Sequence, residues 1–213
     1  MSLTDLYHQF ISGIKETTWL EYIAVFFGIG SVWYSRKENI LVYPVGLVST
    51  LIYIYISFKN SLIGEAGVNL YYTIMSVYGW ILWGSRTLHD KPLVVITYSD
   101  KRESRVQIVF FTFCYLAIYT SLYYLKKNFA PGAIPWADAF ASATAFTGMW
   151  LMARKKVESW YWWIATNLAS IPLYFVKHLV FTSVLYVVLV IMAIFGLAEW
   201  KRRGKKESIL YHG

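Results

Sequence analysis

The sequence predicts an all-α integral membrane protein: seven transmembrane helices arranged as 3+1+3 parallel repeats, preceded by a short N-terminal interfacial helix. Three observations carry that reading. Of the 213 residues, 57% are hydrophobic and only 15% charged, whereas soluble domains carry about a quarter charged residues. The charges are segregated, leaving uncharged windows close to the ~20 residues a helix needs to cross the hydrocarbon core. Landmarks of the first half also recur in the second, 117 residues later at both ends of the repeat and 118 in its middle.

Residues 1–18 form the first element. Leu3, Leu6, Tyr7, Phe10, Ile11 and Ile14 follow helical spacing on one face. With no basic start or continuous apolar core, this segment reads as an amphipathic interfacial helix and not a signal peptide; packing on the bundle is the other option. Residues 19–88 hold a first three-helix bundle, with spans Tyr22–Ser35, Asn39–Phe58 and Ala66–Ser85. A linker transmembrane helix at 104–126 contains the window Val106–Leu125. Residues 132–200 form a second three-helix bundle from Ile134–Ala153, which holds Asp138 near its start, Ser159–Val176 and His178–Ala198. Residues 201–213 are a basic cytoplasmic tail. No alternating ten-residue segments suggest a β-barrel, and the lone Cys114 excludes an intrachain disulfide.

Basic residues in short loops mark the cytoplasmic side. With seven spans, Lys15, Lys59, Lys126, Lys127 and Lys177 share one side. The other fifteen, from Arg36 and Lys37 to the tail Lys201, Arg202, Arg203, Lys205 and Lys206, share the opposite one. The N-terminus is therefore expected outside and the C-terminus inside. The net charge of +8 is a topology signal, and nucleic acid is not an expected partner.

The repeat sets the architecture. Trp33 followed by Arg36-Lys37 recurs as Trp150 followed by Arg154-Lys155, Lys59 as Lys177, and Tyr78-Gly79 with Trp83 as Phe195-Gly196 with Trp200. A three-helix unit ends on the face opposite its start, so an intervening span must restore the orientation of the second copy. Parallel repeats of this kind occur in transporters that bind substrate between the repeats.

Polar stripes then suggest a site. On the third span Asn69, Tyr72, Thr73, Ser76, Trp80 and Trp83 share one stripe at about 100° per residue, with Tyr78 opposite. On the sixth, Trp160, Trp163, Asn167, Ser170 and Tyr174 form another. Span two offers Tyr43, Gly46, Ser49, Thr50 and Tyr53. Trp and Tyr near helix ends also serve as interfacial belts, and both roles stay open for Trp83 and Trp160. Small polar residues such as Ser76 also serve as interhelical contacts. A mid-span Asn is different, because it needs a polar partner.

Asn69-Leu-Tyr-Tyr72 with Tyr78-Gly79-Trp80-Ile-Leu-Trp83, and Trp160-Tyr-Trp-Trp163-Ile-Ala-Thr-Asn167, resemble the span-three and span-six signatures of PnuC-type nicotinamide riboside (vitamin B3) transporters. Ile81 departs from the Tyr found there in many members. The resemblance runs from Glu21 to Trp200. It implies a fold similar to the SWEET sugar transporters in full-length form. It also implies uptake of nicotinamide riboside across the bacterial inner membrane by facilitated diffusion, with intracellular phosphorylation trapping the product. On this resemblance the substrate-binding residues are Asn69, Tyr72, Thr73, Ser76, Trp80, Trp83, Trp160, Trp163 and Asn167. Trp80 and Trp163 would flank the cationic pyridinium, a contact worth about 0.5–2 kcal/mol.

The spans hold no Lys or Arg, so a phosphorylated mononucleotide would find no charge partner. Asp138 is the only carboxylate within them, which points to uncoupled transport. Pro172, deep in span six, is a candidate hinge, whereas Pro44 lies where a helix tolerates proline. No cofactor, metal site or catalytic residue is expected. The lipid bilayer is the other partner, and a homo-oligomer is compatible with the sequence. Rival readings are a transporter of another flat or sugar-like solute such as thiamine or a sugar, a receptor, or an intramembrane enzyme. The enzyme lacks a carboxylate pair, a His-Glu-x-x-His run or a Gly-x-Ser-x-Gly motif.

Overall fold

The computed structural model describes residues 3–59, 63–129 and 132–212. The side chains of residues 3, 63, 125–129 and 206–212 lie outside that description, those of Lys126, Lys127 and Lys206 among them. The described residues form eight helices: α1 Leu3–Glu16, α2 Trp19–Arg36, α3 Val42–Lys59, α4 Ile63–Gly84, α5 Lys101–Phe129, α6 Pro135–Ala153, α7 Ser159–Val176 and α8 Val180–His212. Three of them, α3, α5 and α8, contain stretches both long and apolar enough to cross a membrane.

Local chemistry sets the boundaries. Thr18 and Glu21 build a reciprocal capping box: the Glu21 N–H donates to Thr18 Oγ1 (3.3 Å) and the Thr18 N–H to Glu21 Oε2 (2.6 Å). This starts α2 at Trp19, earlier than the uncharged window alone suggests. Asp100 and Glu103 repeat the arrangement at α5 (2.6 and 3.2 Å). The Glu103 backbone N–H holds the Asp100 carboxyl below the usual carboxylate range. Pro135 opens α6, where the missing N–H costs nothing, and Asp138 Oδ2 accepts from the Ile134 N–H at 2.6 Å. The basic tail does not form a separate element; α8 continues through it to His212.

Six helices close a ring in the order α2, α3, α4, α6, α7, α8 and back to α2. The linker helix α5 stands outside against α6, and α1 outside against α8. For α1 the packing option holds on one face: Phe10 meets Phe181 with ring centroids 5.9 Å apart, and Gly13 lies against the Phe181 Cβ. Tyr7 and His8 remain exposed.

The α4–α5 linker carries more than its length suggests. Ile96 is fully buried and packs in a cluster with Met152, Val157, Trp160, Ala193 and Trp200. The Thr97 N–H donates to the Lys155 carbonyl (3.2 Å), and the Val157 N–H to that of Thr97 (3.0 Å). Ser99 binds Glu158, while Gln107 reaches Ser99 Oγ (2.6 Å) and accepts from Trp162 Nε1 (3.3 Å). Gln107 thus fastens the linker to α7. Arginines and lysines gather at this basic end of the ring, from α2 and α8 and from the segments that follow α4 and α6.

Candidate functional site

The ring encloses a cavity of about 250 Å³, and every ring helix contributes to its wall. Ser31, Val32 and Ser35 come from α2, Tyr43, Gly46, Ser49 and Thr50 from α3, and Tyr72 and Ser76 from α4. Met149 and Met152 come from α6, Trp160, Trp163, Thr166 and Asn167 from α7, and Tyr186, Leu189 and Ala193 from α8. No Asp, Glu, Lys or Arg is among the lining residues.

Polar groups on this wall fall into two sets. Some are consumed by the protein: Ser49 donates to the Ala24 carbonyl (2.8 Å), and the Thr166 and Thr144 hydroxyls are bonded at 2.9 Å. Others are not. The amide of Asn167, a residue only 5% exposed, makes no protein hydrogen bond among the described residues, and neither do the hydroxyls of Ser76 and Tyr72 or the Trp163 indole N–H. Buried polar groups in native proteins nearly always have partners, so this set calls for a polar occupant.

The aromatic wall is positioned by glycine. Trp163 lies on α6 at Gly148, where a Cβ would stand 3.3 Å from the indole, and Tyr72 faces it at 6.2 Å between centroids. At the basic end Tyr43 sits against Gly79 and Trp160 against Gly196, so tightly that a Cβ on either glycine would collide with the ring. Trp83 stands edge-on to Tyr43 (5.1 Å) and Trp200 to Trp160 (5.7 Å).

Of the residues singled out by sequence, Tyr43, Gly46, Ser49, Thr50, Tyr72, Ser76, Trp160, Trp163 and Asn167 come together on the cavity wall. Trp83 lies just beneath it, its indole N–H donating to the Ala153 carbonyl at 3.0 Å. Asn69, Thr73 and Trp80 are not brought to the cavity. Asn69 donates to the Glu65 carbonyl and Thr73 bonds Thr50 on α3, both at 2.9 Å, while Trp80 is 42% exposed. The reason is angular. With ~100° per residue, Trp80 and Thr73 lie about 80° and 100° round the helix from Tyr72, whereas Ser76, Gly79 and Trp83 lie within about 40°. The stripe is wider than the cavity, and only one edge faces inward. Pro172 sits inside α7 on an exposed face.

The residues on α8 escaped sequence reasoning, although a signal existed. Shifted by the 117-residue offset, Asn69, Tyr72 and Ser76 become Tyr186, Leu189 and Ala193, while Trp160, Trp163 and Asn167 correspond to Tyr43, Gly46 and Thr50. All six counterparts line the cavity.

Comparison with known proteins agrees with this architecture. Residues 18–202 match the family model described as nicotinamide mononucleotide transporter. The chain is 24% identical over 199 residues to the riboflavin/roseoflavin transporter RibM of Streptomyces davaonensis, covering 91% of this chain and 90% of that protein. It is 20% identical over 212 residues to the nicotinamide riboside transporter PnuC of Escherichia coli (89% and 87% covered). The PnuC of Neisseria mucosa is 24% identical over 203 residues (90% and 75% covered). The fold matches a solved structure described as the crystal structure of the vitamin B3 transporter PnuC. That match has a TM-score of 0.67 at 21% identity and covers 96% of this chain and 90% of that one.

Proposed function

The chain belongs to the nicotinamide mononucleotide transporter family, and from that premise we propose that it takes up nicotinamide riboside across a bacterial cytoplasmic membrane. The observation that carries the choice of substrate is the cavity itself, uncharged, part aromatic and part polar, with the free Asn167 amide in its wall. Trp163, with Tyr72 at its rim, receives the pyridinium ring, a cation that gains from an indole face. Asn167, Ser76 and the Tyr72 hydroxyl serve the ribose and carboxamide. Asn69, Thr73 and Trp83 support the wall from behind, and Trp80 belongs to the lipid-facing belt.

A phosphate dianion in that cavity would have no cation to meet it, and an unpaired buried charge is costly. The reading therefore favours the riboside over the mononucleotide in the family's description, and it makes intracellular phosphorylation an effective trap. The similarity to RibM supports a second reading, a flavin. Size argues against it. Pockets for drug-sized ligands run to roughly 300–1,000 Å³, and about 250 Å³ suits one six-membered ring with a ribose better than three fused rings with a ribityl chain.

The transport cycle follows from the repeat. We read α2–α4 and α6–α8 as parallel three-helix repeats joined by α5, an arrangement similar to SWEET transporters. Helices of 18–22 residues in α2, α4, α6 and α7 span about 27–33 Å, which matches the hydrocarbon core. Interactions across the ring support this by recurring in equivalent places. Trp83 caps the α6 carbonyl of Ala153, and Trp200, its counterpart, caps the α2 carbonyl of Ser35, both at 3.0 Å. Ser35–Met152 and Glu38–Lys155 join positions 117 apart. The basic end is placed in the cytoplasm by the positive-inside rule. Rocking of one repeat on the other, with α7 flexing at Pro172, exposes the cavity to alternate sides.

Asp138 is ion-paired with Lys177 at 2.6 Å, and no carboxylate is among the residues that line the cavity. Transport is accordingly passive and bidirectional. Equilibrium exchange of labelled nicotinamide riboside in proteoliposomes tests this directly. Exchange persists in the presence of a proton ionophore; its abolition would contradict the uncoupled cycle.

A further inference from the structure

We propose that Tyr43 and Trp160 are the gate that seals the cavity at the basic end, and that this structure holds the gate shut; the inference rests on the alternating-access reading above. The two residues occupy equivalent places in the two halves, 117 positions apart. Each lines the cavity, each is 1% exposed, and each is seated in a glycine notch of the third helix of its own half, with a tryptophan edge-on behind it. A side chain larger than hydrogen at Gly79 or Gly196 would unseat the ring, so the notch fixes where the gate closes.

Behind the rings, the polar contacts cross from one half to the other. Trp83 binds the Ala153 carbonyl and Trp200 that of Ser35. One layer further out, Glu38 takes Lys155 at 2.6 Å and Arg203 at 3.3 Å. The Lys155 ammonium stands 4.7 Å over the Trp83 ring, which ties the ionic layer to the aromatic one. Toward the opposite end, the described hydrogen bonds between the two halves reduce to that from Tyr71 to the Phe146 carbonyl, while Lys177–Asp138 joins two helices of the same half. Among the described residues, the hydrogen bonds between the halves are therefore concentrated at one end.

One feature marks the closed gate as an alternate state and not a permanent core. The Tyr43 hydroxyl and the Trp160 indole N–H are buried without any hydrogen-bond partner. Both gate residues thus carry the same defect. Swinging the rings out of their notches lets water or ligand satisfy both groups. The unpaired groups disfavour the closed state while the clasp behind them favours it, leaving the equilibrium poised.

The test reads gate position without substrate, so it stays valid if nicotinamide riboside is the wrong ligand. In a Cys114→Ala background, Ser35→Cys places a thiol at the cavity's basic end. Membrane-impermeant maleimide is applied to right-side-out and to inverted vesicles. Leu88→Cys, fully exposed in the α4–α5 linker, identifies the basic face in a parallel preparation. Glu38→Gln, which loosens the clasp, is expected to speed basic-face labelling of the Ser35→Cys thiol several-fold. Tyr43→Phe keeps the ring in its notch and removes the unpaired hydroxyl. It is expected to slow labelling by about 5- to 150-fold, the equilibrium weight of one unsatisfied buried group. Arg202→Gln, whose pair with Glu199 stays within α8, serves as the control and leaves the rate unchanged. Labelling unaffected by Glu38→Gln, or unchanged or faster in Tyr43→Phe, would overturn the proposal.

Discussion

Replacing Asn167 by Ala separates a ligand-binding amide from a structural one. In the ligand-free protein this amide makes no protein hydrogen bond among the described residues, although its residue is 5% exposed. Truncation therefore removes nothing that holds α7 in place, and the melting temperature should stay within a degree or two of the parent. With ligand bound, the loss is different. A ribose hydroxyl or carboxamide group enters a closed cavity and is left unpaired, which costs about 1–3 kcal/mol, or about 5- to 150-fold in affinity. Isothermal titration of purified protein with nicotinamide riboside, paired with thermal unfolding, measures both quantities. Thr166→Val is the contrast. Its hydroxyl is spent on Thr144 and on the Trp162 carbonyl, so stability should fall by about 1 kcal/mol with little change in affinity. A substantially lower melting temperature in Asn167→Ala, with binding within twofold of the parent, would make the amide structural and not ligand-binding.

Three other outcomes follow from the same geometry. Trp80→Ala, on an exposed face, should leave affinity for nicotinamide riboside within about twofold, whereas Trp163→Ala should weaken it at least tenfold by calorimetry; equal losses would return Trp80 to the site. Gly196→Ala forces a methyl into the Trp160 ring and should cost about 1–3 kcal/mol of stability, as overpacking does, together with transport; a normal melting curve would show that the ring has room to move. Pro172→Ala restores a helical hydrogen bond in α7 and should slow exchange severalfold at unchanged affinity, and normal exchange would remove Pro172 from the cycle.

Legibility in the sequence differed by element for physical reasons. The membrane class and the helix order follow from segregated charge, and the 117-residue offset placed counterparts that meet across the ring. On α7 the polar and aromatic residues lie on one narrow stripe, and three of them, Trp160, Trp163 and Asn167, line the cavity. On α4 the stripe is broader than the cavity. Asn69, Thr73 and Trp80 carry suitable chemistry on the wrong edge, and helical periodicity alone does not choose between edges. Leu189 and Ala193 line the wall without any polar signature, so only their repeat partners identify them. The burial of Ile96 and the Gln107 tether depend on how the linker folds back on the α6–α7 turn. No local pattern encodes that contact.

On the proposed reading, this uncharged cavity selects a ligand of one six-membered ring and one ribose. Calorimetric titration of the purified protein with nicotinamide riboside, nicotinamide mononucleotide and riboflavin in parallel tests it most directly. The riboside should bind saturably, with the mononucleotide and riboflavin each at least tenfold weaker. Binding of either competitor as tight as the riboside, or no binding of the riboside at all, would contradict it.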